Sequence, residues 1–402
     1  MWKRLLSRPV VLVRALLGLL VLAELTVILN GPDVEKAKAA VQSAVAATTQ
    51  PPWESLADVG IHLAAWINLV LLVLLAVLAP LWMRPFVKPV DADDLPPPRP
   101  WWKRLWIPAA VLLFAFWYGS TSFAGKSLWW DELWSMRQVT HGQWKEAKDN
   151  PDELVFSDPS WKRTFFYYAK PTNHSVMSVA QRLSLDGWRW ITGAPEHEFS
   201  DLAARLPSLL ASGLAVVLLF RLIGIARGVA WLAVLLALHP WHLRYGVEAR
   251  AYALIVPLCL SGILASRKVI ATRGRNWKTW AWLAINQGIW VWTFMLSAID
   301  VGVLFLITGI FLWKKETHSR DRITVLMRHV VAHVFAMMLW IQAFLPKGNS
   351  YAPQGGKSKI DITDIGALNI TANLARETDK MGFGTPMAIA SLKGDIAEIN
   401  KY

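Results

Sequence analysis

Residues 105–138 read LWIPAAVLLFAFWYGSTSFAGKSLWWDELWSMRQ. The apolar run Leu105–Phe123 is of the length that crosses a hydrocarbon core, for which a helix needs about 20 residues. A few residues later the chain sets two adjacent acids, Asp131 and Glu132, among Trp129, Trp130 and Trp134. Indole rings gather at the headgroup level, so a membrane boundary accounts for the tryptophans. It does not account for the acids.

The pattern of apolar run and charged connector recurs along the chain. Spans are expected at Val10–Leu29, Ile61–Met83, Leu105–Phe123, Leu202–Leu222, Val229–Leu243, Ala251–Ala265, Thr279–Leu296, Ile299–Trp313 and Val325–Leu345. Little separates Thr279–Leu296 from Ile299–Trp313, which reads as a tight hairpin or as one long tilted helix. The fold class expected is thus an all-α polytopic membrane protein with about nine transmembrane helices.

Composition agrees. Of 402 residues, 54% are hydrophobic and 18% charged, against about 25% charged in soluble domains. The net charge of +13 does not call for nucleic acid, because the basic residues concentrate in every second connector: MWKRLLSR, Met83–Arg104, Arg221–Arg227, Ser266–Lys278 and Trp313–Arg322. The positive-inside rule then places the N-terminus and those loops in the cytoplasm, with a bacterial inner membrane as the expected location. The N-terminus has the charged start of a signal peptide, but its apolar run continues past a typical signal core and no A-x-A site follows closely. It reads as an uncleaved first span. Cys259 is the single cysteine, so no disulfide within the chain and no thiolate metal site is expected.

Three regions follow. Residues 1–100 hold two N-terminal spans and a Pro-rich cytoplasmic linker; 101–345 form the main transmembrane domain with an extracytoplasmic loop at 124–201; 346–402 are a polar extracytoplasmic tail. Within the loop, SLWWDELWSMRQVTHGQWKEAK (Ser127–Lys148) has roughly helical spacing and is expected to lie on the membrane surface as an amphipathic helix. FFYYAKPTNHSVMSVAQRLSLDGW (Phe165–Trp188) is expected to supply a second half-buried interfacial helix.

Four polar clusters share the outer side of this map: Asp131–Glu132, Pro171–Ser175 (PTNHS), Ala203–Ser208 (AARLPS) and His242–Leu254 (HLRYGVEARAYAL). Only groups on one membrane face can converge. Three of these clusters also have a plainer reading. Asp131 and Glu132 suit a helix N-terminus, where acids complement the dipole, or they form a carboxylate pair that serves as general base or divalent-cation ligand. Thr172 and Asn173 suit a helix cap. Arg250 beside Tyr252 suits an interfacial snorkelling pair, or a fork that binds a lipid-borne phosphate. No Walker loop, G-x-G-x-x-G, G-x-S-x-G or H-E-x-x-H is present.

SLWWDELWS resembles the first-loop acidic motif of GT-C glycosyltransferases, in particular bacterial members similar to protein O-mannosyltransferases and aminoarabinose transferases (family 39-like). PTNHSVMSVAQRLS resembles the family's Asn-Asn-His-Pro-Leu stretch, ARLPSLLASGLAVVLLFRL its Arg-Leu-Pro-Ser span opening, and GVEARAYAL its Glu-Ala-Arg-x-Tyr sequence. The resemblance covers about Leu105 to Leu264. It implies a GT-C-like fold and transfer of a sugar from a polyprenyl-phosphate donor to an acceptor hydroxyl on the extracytoplasmic face. Carried over, Asp131 is the catalytic base and Glu132 orders the site. His174 lines the donor or acceptor pocket, and Arg250 with Tyr252 holds the donor phosphate. Asn173, Arg205 and Glu248 belong to the same motifs and complete the implied substrate-binding set. Expected partners are the donor, membrane lipids and other membrane subunits, with no nucleic acid. No organic cofactor is implied, and a divalent cation is left open. The alternative function is a non-catalytic GT-C-like membrane subunit that scaffolds a larger complex.

Overall fold

Hydrocarbon offers the backbone no hydrogen-bond partner, so apolar runs must satisfy their amides internally, as helices. That is what the computed structural model contains. It describes residues 9–47, 49, 51–87, 109, 128, 130–147, 149–150, 153–168, 173–223 and 231–350. In chain order the elements are α1 Pro9–Asn30, α2 Val34–Ala46, α3 Trp53–Val77, α4 Ala79–Trp82, α5 Trp130–Ser135 (continued by a π-helical turn, Met136–Thr140), β1 Gln143–Glu146, β2 Leu154–Ser157, α6 Trp161–Phe166, α7 Ser175–Thr192, α8 Asp201–Ile223, α9 Trp231–Leu238, α10 Pro240–Gly246, α11 Tyr252–Ala271, α12 Trp277–Thr293, α13 Ser297–Lys315 and α14 Ser319–Ser350.

Among the described residues, six helices are long and apolar enough to cross a membrane: α1, α3, α8, α11, α13 and α14. The chain is a helical, polytopic integral membrane protein. The other expected spans fare differently. Leu105–Phe123, most of the Pro-rich linker and the tail beyond residue 350 lie outside the described residues. In Val229–Leu243, Pro240 starts a new helix after His239, so the run is two short helices, α9 and α10. Thr279–Leu296 is helical as α12 but only 17 residues long. Phe294 is extended at its end (φ −146°, ψ 115°), which makes α12 and α13 two helices rather than one tilted rod. The last helix continues through Pro346 to Ser350, so the polar segment begins later than the sequence suggests.

The outer segment departs most from expectation. Ser127–Lys148 is not one amphipathic helix. Gly142 has φ +109°, a conformation that favours glycine, and a Cβ there would sit 2.6 Å from Ser157 O. The helix therefore stops, and QWKE pairs antiparallel with LVFS, Gln143 facing Ser157 and Glu146 facing Leu154. Among the described residues this two-stranded hairpin is the exception to an all-α description. Phe165–Trp188 also divides, between α6 and α7.

Packing between spans cannot rely on excluding water, because lipid is as apolar as leucine. The chain uses small residues and polar clasps instead. Ala57, Gly60 and Ala64 form a buried stripe on α3, and a Cβ on Gly60 would lie 2.6 Å from Pro346 Cα. That close approach seats α3 against α14. Leu72, Leu75, Trp82, Val331 and Met338 extend the contact, and Leu17 brings α1 into the same cluster. Further along the same helices, Glu24 of α1 accepts hydrogen bonds from Asn68 (3.4 Å) on α3 and Gln342 (2.9 Å) on α14. The two N-terminal spans are thus part of one bundle with the last helix. At the end of α14 remote from Pro346, Arg328 donates to the carbonyls of Trp82, Gly274 and Arg84 at 2.8, 3.2 and 3.0 Å. Arg275 bridges Glu316 (2.8 Å) and Asp321 (3.5 Å) beside it. These contacts satisfy carbonyls that helix C-termini leave unpaired.

Candidate functional site

At the opposite end of the bundle, α5, the start of α7, the start of α8 and the bend before α11 converge. Met136, Leu185, Ala203, Ala204 and Ala249 pack as their common core. The alanines allow the four segments to approach closely, and they bring together all four polar clusters singled out above.

The adjacent acids part company. Asp131 faces a crevice and meets Arg250, Oδ2 to Nη2, at 2.9 Å. Both side chains retain solvent access, 39% for Asp131 and 20% for Arg250. Such a pair stabilises the fold by only about 0–1 kcal/mol. Glu132 points the other way and is fully buried, at 0% exposure. Its Oε1 accepts the Ala249 backbone N–H and lies 3.8 Å from Nε of Arg205, itself 1% exposed. Glu132 therefore bolts α5 to the bend that carries Arg250 and to α8. One residue along the helix separates a group offered to the crevice from a group spent on its frame.

The rest of the Glu-Ala-Arg-x-Tyr stretch divides in the same manner. Glu248 is buried and accepts from Arg244 Nε at 3.0 Å. The Arg250 guanidinium lies 4.7 Å over the Tyr252 ring, and its carbonyl accepts from Ser208 at 3.3 Å. Cation–π contact and ion pair together hold the guanidinium at the crevice mouth. Ser208 also shows why the Arg-Leu-Pro-Ser stretch belongs here: it fixes the bend from the α8 side.

The capping reading of Thr172 and Asn173 has only Asn173 within the described residues, and it does not cap. Its amide donates to the carbonyls of Thr164 (3.0 Å) and Tyr167 (2.8 Å), and its Oδ1 accepts from Ser178 at 2.8 Å. Asn173 ties α6 to α7 and does not line the crevice. His174 does line it, 5.5 Å from the Phe294 ring and 6.1 Å from the Tyr252 ring. Burial lowers its pKa to about 3, assisted by the Lys347 and Arg250 charges and opposed by a hydrogen bond with the Thr293 backbone. At neutral pH it is an uncharged imidazole.

Four contributors escaped the sequence reading. Ser135 and Ser178 line the crevice one helical turn after Asp131 and His174, an i,i+4 relation that would have found them. Gln181 lines it too, is 1% exposed, and its Nε2 donor has no partner. Lys347 lies in what reads as the start of a tail. It is buried at 1% exposure and donates to the Asn173 carbonyl at 3.0 Å, and nothing local in the sequence announces it. The crevice has internal room for about one water molecule, so it is narrower than a hollow holding a sugar phosphate. Asp131 and Glu132 address different partners, so the arrangement does not present them as a joint cation site. Among the described residues no group of three His, Cys, Asp or Glu side chains gathers elsewhere to hold a metal.

The residues at this end can accept a proton at Asp131, bind an anion at Arg250 and donate a hydrogen bond from Gln181. No protein-family model matches the chain, and neither a curated protein nor a solved structure does so.

Proposed function

We propose that the chain is a membrane glycosyltransferase that moves a sugar from a polyprenyl-phosphate donor to an acceptor hydroxyl on the extracytoplasmic side of a bacterial inner membrane. The observation that carries this reading is the 2.9 Å meeting of Asp131 and Arg250, residues 119 apart in the chain, in the crevice that Gln181 also lines with its unpartnered Nε2. A carboxylate and a guanidinium at a membrane boundary are the parts that transfer from a phosphate leaving group requires.

In the resting arrangement each group masks the other. A donor phosphate matches the guanidinium fork better than one carboxylate oxygen does. By taking Arg250, it releases Asp131. The acceptor oxygen then attacks the anomeric carbon, and the bond from that carbon to the phosphate oxygen breaks with its electrons on phosphate, where Arg250 stabilises the charge. The hydroxyl proton passes to Asp131. His174, being neutral, can hydrogen-bond to donor or acceptor without drawing the phosphate from Arg250. Glu132 and Arg205 keep α5 and the Arg250 bend in register. A divalent cation here would rest on Asp131 and the donor phosphate, since Glu132 is committed.

The narrow crevice favours a second reading, a non-catalytic subunit that retains this scaffold within a larger membrane complex. Protein in nanodiscs, supplied with radiolabelled polyprenyl-phosphate hexoses and pentoses, with and without divalent cation, separates the two. Transfer that falls by about 100-fold or more in Asp131→Asn, and donor affinity that falls in Arg250→Ala, support the enzyme. Wild-type turnover in Asp131→Asn removes that residue from the mechanism, and absence of turnover with every donor supports the subunit.

A further inference from the structure

A second hollow lies at the same end of the bundle, beyond the Met136–Thr140 turn, and the transfer chemistry does not use it. It is about 160 Å³ in volume, partly open, and is lined by the start of α3, the turn itself, both strands of the hairpin and the segment leading into α6.

Its walls are fixed. Arg163 donates to Gln138 O at 2.7 Å and to Gln138 Oε1, while its guanidinium lies 4.0 Å over the Tyr167 ring and 5.4 Å from the Trp53 ring. Lys145 Nζ donates to Ser157 Oγ at 3.3 Å. Asp158 is paired with Arg182 at 2.7 Å. What faces the space is polar and uncommitted. The Arg137 guanidinium, the Glu54 carboxylate and the Gln143 amide have no partner among the described residues, and Gln138 keeps its amide donors after its oxygen is used. With Asp158 neutralised by Arg182, the charges left around the hollow are Arg137, Lys145 and Arg163 against Glu54. The excess is positive.

We propose that this hollow binds an acidic sugar residue, a hexuronate or a hexose phosphate. Arg137 and Lys145 would take the anionic group, for which a guanidinium fork and an ammonium are suited. Gln138, Gln143 and Glu54 would exchange hydrogen bonds with ring hydroxyls. Trp53 also lines the hollow, its ring under the Arg163 guanidinium and edge-to-face with Tyr167. The rigid wall means that little side-chain ordering has to be overcome on binding. The site goes beyond the transferase reading and does not depend on it, because binding here involves neither Asp131 nor Arg250.

Calorimetry of the purified full chain tests the proposal with four ligands: glucuronate, glucose 6-phosphate, glucose and inorganic phosphate. At least one acidic sugar should bind with a Kd of about 1 mM or tighter, and which of the two does so identifies the anionic group. Glucose and inorganic phosphate should each bind at least about tenfold more weakly, because each lacks one half of the contacts. R137Q and K145Q should each weaken the acidic sugar about tenfold in a folded protein; R137Q should leave Tm unchanged, since Arg137 is exposed, and K145Q loses only the exposed bond to Ser157. Asp131→Asn should bind it as wild type does. Silence with both acidic sugars, equal binding of glucose, equal binding of inorganic phosphate, or indifference to R137Q and K145Q in a folded protein overturns the proposal.

Discussion

Glu132 and Arg205 offer the sharpest test of how the site is framed. Both are buried, at 0% and 1% side-chain exposure, and 3.8 Å apart. Replacing Glu132 with Leu leaves a guanidinium with its ion partner gone and an Ala249 N–H without its carboxylate acceptor. Loss of one partner of a buried pair costs about 3–5 kcal/mol, and an orphaned buried amide about 1–3 kcal/mol. Glu132→Leu should therefore lose about 4–8 kcal/mol by these two principles. Arg205→Met spares the Ala249 bond and should lose about 3–5 kcal/mol. In the double variant both buried charges are gone, so the loss should shrink towards the amide contribution of about 1–3 kcal/mol. The coupling is strongly non-additive for that reason. Reversible unfolding in mixed micelles, with tryptophan fluorescence as the probe, supplies the four free energies of the cycle. Additive losses, or a single variant that costs under about 1 kcal/mol, would refute the buried-pair account of Glu132.

The neighbouring acid should behave oppositely: Asp131→Asn, in a half-exposed pair, should shift stability by under about 1 kcal/mol while abolishing transfer, and a misfolded product would show that Asp131 is part of the frame. Gly60→Leu should prevent α3 from seating against α14, because a Cβ alone would come within 2.6 Å of Pro346; overpacking of this kind costs about 1–3 kcal/mol or more, and a monodisperse protein of wild-type Tm would contradict the close approach. Acidification should destabilise the outer domain. His141 accepts from Arg189 at Nδ1, 2.5 Å away, and burial, then the Arg189 and His197 charges, lower its pKa to about 4. An unfolded histidine titrates near pH 6.5, so between about 6.5 and 4 the unfolded chain holds a proton that the folded chain lacks, and stability falls with falling pH. It is fully present above that window. A series of Tm values from pH 7 to pH 4 should show the decline, with a smaller slope in His141→Gln; His174 contributes in the same direction, and an equal slope in the variant would remove His141 as a cause.

Much of this was written in the sequence. Apolar run length fixes where helices lie, because lipid leaves the backbone no alternative, and the six long apolar helices fall where the runs predict. The approximate convergence of the Asp131, His174, Arg205 and Arg250 segments was also legible, since alternating basic connectors assign all of them to one face. Side-chain direction was not. Asp131 and Glu132 are neighbours of the same chemistry, and nothing in their order says which one meets the crevice.

Other features depend on distance in space alone. Lys347 meets Asn173, and Gly60 meets Pro346, in contacts between residues far apart in the chain. The hairpin at Gln143–Ser157 displaces an amphipathic helix because Gly142 accepts a left-handed backbone beside Ser157. Gln181 becomes a site residue only once its neighbours leave its amide without a partner. Sequence alone determined the long apolar helices that can cross a membrane, because those follow from local polarity and period. The tertiary structure decided which polar groups are spent on one another and which stay open to a ligand, because hydrogen bonds and ion pairs are matched in space rather than along the chain.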